Sequence, residues 1–245
     1  MQRNMSKILK LVLLILAVMV KTTGHAQADT GQNLNSRQQA IIRISAFTAT
    51  GNLSKLKGEL NAGLEAGLTV NQVKEVLVHL YAYAGFPRSI RGLQTFMAVL
   101  EERKAKGIKD VIGAEASPIK DERNKYDRGK AVLDSLLGAP QTGPQTGYAA
   151  FAPVIEVFLK EHLFADVFER DVLGYAEREL VTISVLSSIG GVEPMLKAHL
   201  NICLNVGLTP GQLQQFVRVI KSTIGDKEAK ASQAILDEVI KGRQQ

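Results

Sequence analysis

The stretch "LKGELNAGLEAGLTVNQ" (residues 56–72) returns 140 residues later as "LKAHLNICLNVGLTPGQ" (residues 196–212). Without a gap, ten of the 22 positions from Gly51 to Gln72 match their partners from Gly191 to Gln212. A period of 140 is far longer than a solenoid repeat, so the duplication predicts two related domains. Leu180, Ile183, Leu186 and Ile189 recur at helical spacing and stop at Gly190-Gly191. Glu193 to Val206 follows, with Leu196, Leu200, Cys203 and Leu204 on one stripe. Gly207 suits the residue just past a helix, and Thr209 suits an N-cap with Pro210 at the first helical position. The helix after it carries Leu213, Phe216, Val217 and Ile220, and a last one runs from about Lys227 to Lys241.

The first copy has the same plan from about Ser36 to Lys106, broken at Gly85-Phe86-Pro87 before its last helix. Between the copies, Asp121 to Leu137 and Ala149 to Phe164 read as two more helical stretches joined by the loop "GAPQTGPQTG" (138–147). No segment sustains two-residue alternation, and the apolar residues are Ala, Leu, Val and Ile with aromatics at only 5%. The expected fold class is all-α, with a first domain over 36–110 and a second over 120–245 that carries an N-terminal helical extension.

Residues 1–28 read as a secretory signal. Arg3, Lys7 and Lys10 precede an apolar run to Val20, and Ala26-Gln27-Ala28 is a small-x-small cleavage site. The uninterrupted run from Leu11 to Val20 is too short to span a bilayer. The expectation is a periplasmic or secreted protein with no membrane association after signal removal. The leader holds four of the 30 basic residues and no acid, which leaves 26 basic against 24 acidic residues. That balance is no footprint for nucleic acid. One cysteine makes no internal disulfide, so stability must come from the core or from oligomerisation.

There is no phosphate-binding glycine loop, no His-Glu-x-x-His and no cysteine pair. Only His79, His162 and His199 remain after the leader, too few for a multi-histidine metal site, and no metal is expected. His199 and Cys203 are one turn apart beside Leu196 and Leu200; Cys203 reads as a small core residue. Glu75, His79 and Tyr83 are spaced four and four, so they line one helix face amid apolar neighbours. A carboxylate one turn from an imidazole fixes its tautomer and raises its pKa, and a phenol one turn further can serve an oxyanion. At the 140 offset, His79 and Tyr83 face Val219 and Thr223, His199 faces Glu59, and Arg178-Glu179 faces Gln38-Gln39. These complementary losses predict one composite site between the halves, with the degenerate second site apolar and silent.

At these residues the chain resembles the carboxymuconolactone decarboxylase family, whose fold is shared with alkylhydroperoxidase D-like proteins. The resemblance rests on "RELVTISVLSSIGGVEPMLKAHLNICLNVGLTPGQL", on "ELNAGLEAGLTVNQVKEVLVHLYAYAGFPRSI", and on the upstream stretch from "YDRGKAVLDSLLG" to "FAPVIEVFLKEHLFADVFERDVLGYAERELV". It implies intertwined helical subunits that oligomerise, with two copies in one chain mimicking a dimer and a trimer of such chains favoured. Peroxidase-type members need Cys-x-x-Cys one turn before the histidine. Val192 and Met195 stand there, and Asn52 and Lys55 in the first copy, so peroxiredoxin-type activity is not expected.

Decarboxylase-type members are implied to need no cofactor. By resemblance His199 or His79 donates the proton, with Glu179 or Glu75 orienting a histidine and Tyr83 beside them. Arg178 or Arg88 would anchor the carboxylate of a small lactone or keto acid. Glu59 and Val219 depart from the histidines that the resemblance implies at their positions. The alternative reading is a non-catalytic binding or assembly protein that kept the fold. The discriminating observation is whether His79 and His199 face one shared cavity, which favours the enzyme, or are packed against leucines with no cavity, which favours the binding protein.

Overall fold

The computed structural model describes residues 33–244, so the leader read over residues 1–28 lies outside the described residues. Residues from Leu34 onward form one compact unit, all-helical, with no strand among the described residues. The first copy supplies α1 (Ser36–Thr50), α2 (Leu53–Glu65), α3 (Val70–His79) and α4 (Tyr81–Ala105). The second supplies α8 (Tyr175–Ile189), α9 (Glu193–Asn205), α10 (Pro210–Ile224) and α11 (Asp226–Arg243). Between them lie α5 (Lys125–Leu137), α6 (Gly147–Phe151), α7 (Pro153–Phe158) and a π-helical stretch, Leu159–Val167.

Local chemistry repeats at the 140 offset. Thr69 and Thr209 each accept the backbone N–H of the residue three on, Gln72 or Gln212, and that glutamine returns a bond to the threonine N–H. These capping boxes satisfy amides that a helix start leaves unpaired. Asn61 and Asn201 each donate to the carbonyl four residues back at 3.0 Å, and each receives an arginine, Arg103 or Arg243. Gly85 (φ 81°) and Gly225 (φ 120°) break the chain at the same place in each copy, where a side chain would be strained. The expected break at Gly85-Phe86-Pro87 therefore stands, and its twin is Gly225.

The helices of one copy pack on those of the other. α1 and α8 lie against each other at the centre, buried along most of their length. Such all-round burial explains why neither shows a clear polar face. α3 of the first copy packs on α8 of the second, and α10 of the second packs on α1 of the first. One hydrophobic core takes residues from both copies, from Ile41 and Leu77 to Leu180 and Phe216. The chain is a pseudo-dimer with exchanged helices.

The linker 107–124 crosses the start of α3, where the carbonyls of Val111 and Ile112 accept the Val70 and Asn71 amides at 2.9 Å. The extension builds a smaller core from Val132, Leu136, Leu163, Phe164, Val167, Phe168 and Ile202. α5 approaches the π-helical stretch so closely that a Cβ on Gly129 would lie 1.7 Å from the Lys160 carbonyl oxygen. The helix expected from Ala149 to Phe164 is instead broken. Pro153 drives Ala152 out of the α region (φ −134°, ψ 76°), and the chain rewinds as a π-helix from Leu159. The stretch expected from Asp121 begins at Lys125, where Asn124 caps it.

Candidate active site

Tyr83 packs against both cores, and around it polar side chains of both copies converge. Its ring lies 5.6 Å from that of His79 and 5.7 Å from that of His199. His79 ends α3 of the first copy; His199 lies in α9 of the second. The two imidazoles thus share one cluster, as the complementary losses predict.

His199 is the more open of the two, its side chain 14% exposed. Its Nδ1 donates to Glu179 Oε2 at 2.8 Å, and Glu179 is fully buried on α8. No hydrogen bond to Nε2 is found among the described residues. The carboxylate therefore holds the ring and fixes Nδ1 as its donor edge. Glu179 Oε1 is buried and makes no hydrogen bond among the described residues, and the buried Tyr83 hydroxyl has the Thr182 side chain beside it. Burial, and then the Glu179 carboxylate, push the Tyr83 phenol far up, so it stays protonated. A neutral phenol and a spare carboxylate oxygen are thus held ready beside His199.

His79 is fully buried. An Arg178 Nη1–H donates to its Nδ1 at 3.1 Å, and its Nε2–H donates to Thr182 Oγ1 at 3.0 Å. Thr182 in turn donates to the Arg178 carbonyl at 3.1 Å. A guanidinium has no acceptor, so this chain of donors fixes His79 as the neutral Nε2–H tautomer. Burial, then Arg178, then His199 hold its pKa well below 6.5. This corrects the expectation that Glu75 raises it. Glu75 is taken elsewhere: Arg170 grips its carboxylate at 3.0–3.1 Å, and Arg178 Nη2 donates to its Oε1 at 2.7 Å.

Arg178 is fully buried and also donates to the Arg170 carbonyl, while its Nε makes no hydrogen bond among the described residues. Its internal countercharge is Glu75. Arg88 stands apart from the cluster, exposed, with its guanidinium over Gly51. Arg170 and Thr182 were missed from sequence. Thr182 carried one signal, lying a single turn beyond Arg178. The expectation for the second site is corrected as well: its positions hold Gln38, Gln39 and Gln215 rather than apolar residues.

Cys203 is fully buried in the main core, and burial, then Glu179, push its thiol well up. It is a packing residue. No group of three metal-ligating side chains occurs among the described residues, and none of their helices is long and apolar enough to cross a membrane. A cleft of about 280 Å³ opens outside the cluster, lined by Phe168, Arg170 and Tyr175 among others. Neither His79 nor His199 lines it.

Comparison with known proteins gives the family. 4-Carboxymuconolactone decarboxylase of Acinetobacter baylyi is 26% identical over 121 residues, which are 49% of this chain and 90% of that protein. An uncharacterized protein of Methanocaldococcus jannaschii is 23% identical over 70 residues, 29% of this chain and 65% of its own length. The sequence model of the Carboxymuconolactone decarboxylase family matches twice, over residues 17–96 and 156–238, once for each copy. With two matches that together span more than half its length, the chain belongs to the carboxymuconolactone decarboxylase family.

Proposed function

We propose that the chain is a lyase that removes CO2 from a small carboxylated lactone or keto acid by general acid catalysis, using no cofactor. The observation that carries this reading is the Glu179–His199 pair, with no hydrogen bond to Nε2 among the described residues and the Tyr83 ring 5.7 Å from the imidazole. The decarboxylase of Acinetobacter baylyi supports the substrate class. Loss of CO2 leaves the bonding electron pair in the conjugated lactone, as a dienolate. Tyr83, kept protonated, donates a hydrogen bond to the dienolate oxygen. Protonated His199 delivers the proton from Nε2 to carbon and is reloaded from solvent, while Glu179 steadies the imidazolium. His79, held neutral, supports Thr182 and donates no proton to substrate.

The test is decarboxylation of 4-carboxymuconolactone, followed by release of CO2 and by deuterium uptake from heavy water at the protonated carbon. His199→Gln is expected to lower kcat by about 10²- to 10⁴-fold without loss of helicity. Turnover by His199→Gln within threefold of the parent would refute the assignment.

Oligomerisation and export belong to the same proposal. Tyr148, Phe151, Val154 and Phe158 are 58–92% exposed on α6 and α7. A row of large apolar side chains this size is an unfavourable solvent face. Covering it in a trimer of two-copy chains resolves that cost, and Phe151→Glu is expected to reduce the mass measured by light scattering to that of a single chain. Unchanged mass would reject this face as the interface. Export predicts that the mature protein begins near Asp29, which intact mass would show.

A further inference from the structure

The place that mirrors the reaction cluster at the 140 offset is likewise built from both copies. Glu75, Arg178 and Glu179 have Gln215, Gln38 and Gln39 as their counterparts. Each counterpart is a neutral amide, and Gln215 and Gln39 are engaged. Gln215 Oε1 accepts the backbone N–H of Leu34 at 2.7 Å. Gln39 Nε2 donates to the backbone carbonyl of the same Leu34 at 2.9 Å. Arg43 Nη2 donates to Gln39 Oε1 at 3.2 Å, which settles that amide's orientation with Nε2 toward Leu34. The Leu34 side chain is 3% exposed and joins the main core.

We infer that this mirror site, which takes Gln39 from the first copy and Gln215 from the second, is a clamp for peptide backbone, and that its occupant is Leu34 of the same chain. The chemistry requires amides here. A backbone residue offers one donor and one acceptor, so its receptor must supply an acceptor and a donor. Carboxylates at both positions would only accept, and the one facing the Leu34 carbonyl would repel it. Glutamine at both places meets the need, and it also ends the proton handling that the charged set performs at the reaction cluster. On the function proposed above, one chain then has one chemically competent site; the clamp itself stands on the hydrogen bonds alone.

Leu34 lies two residues ahead of α1, so no helical ladder bond holds its amide. Hydrogen exchange at that amide in the full chain therefore reads the clamp directly. The wild-type amide is expected to be protected. Gln215→Ala removes the acceptor and is expected to speed exchange about tenfold, as for loss of one buried hydrogen bond. Gln215→Glu keeps an acceptor and is expected to stay within about threefold of wild type. Gln39→Glu sets a carboxylate against the Leu34 carbonyl and is expected to speed exchange about as much as Gln215→Ala. The inference is overturned if Gln215→Ala exchanges like wild type, or if Gln215→Glu exchanges as fast as Gln215→Ala. None of these readouts depends on turnover, so failure of the lyase reading leaves them intact.

Discussion

Replacing Glu75 by Gln tests whether the buried charges are held as a unit. The Arg178 side chain is 0% exposed and that of Glu75 3%, with Nη2 and Oε1 2.7 Å apart. At an effective dielectric near 20 and about 4 Å between charge centres, the attraction is about 4 kcal/mol. The amide still accepts one hydrogen bond and recovers about 1 kcal/mol. Arg170, its side chain 41% exposed, turns to water at little cost. Glu75→Gln is therefore expected to cost about 3 kcal/mol, within the usual range for stranding a buried charge. Arg178→Gln should cost less, about 2 kcal/mol, because Glu75 keeps the fork of Arg170. The double variant copies the amides that the chain already carries at the 140-offset counterparts, Gln215 and Gln38. Its loss should fall about 2 kcal/mol short of the sum of the singles. Urea unfolding at pH 7, with the slope unchanged, measures all three. In a thermal scan Glu75→Gln should lower Tm by about 6–12 °C for a chain of this size. A loss under about 1 kcal/mol, or additivity of the two changes, would refute the claim that these charges are mutually dependent.

Two further outcomes follow from the pKa directions. His79 is held neutral in the fold, so as pH falls the unfolded chain takes up that proton first. Its contribution is complete above about 6.5 and is lost below it at up to about 1.4 kcal/mol per pH unit. Urea midpoints of the parent and of His79→Gln at pH 7.5, 6.5 and 5.5 should differ in slope, and parallel curves would contradict it. Cys203 should resist an aromatic disulfide reagent in the native chain and react after unfolding, and the chain should not turn over hydroperoxide with a thiol reductant. Rapid native labelling would show that the thiol is accessible.

Much of this architecture is legible in the sequence because it is local. The Thr69 and Thr209 caps, the Gly85 break and the helical stripes each depend on neighbours within a few residues. The union of His79 and His199 is legible for a different reason: duplication lets one half act as a reference for the other. What escapes is long-range pairing. Glu75 was read against His79, one turn away, but its partners are Arg170 and Arg178, some 95 and 103 residues on. Arg170 falls before the repeated block and, though it lies in the upstream stretch that carries the family resemblance, has no spacing to Glu75 or His79 that marks it as their partner. The apolar run from Ala149 to Phe164 hides its breaks because periodicity does not register the withdrawal of a single amide by Pro153. The second site escapes as well, since an amide is silent as chemistry until its partner is known to be backbone.

The crossing of α3 onto α8 and of α10 onto α1 has a consequence for how the protein comes into being. A ribosome that has delivered only the first hundred or so residues has made Glu75, His79 and Tyr83 but none of the groups that hold them. Neither half can be finished early and wait for the other. Assembly of this cluster and completion of the chain are one event, so a truncated product lacks the cluster altogether rather than holding half of it.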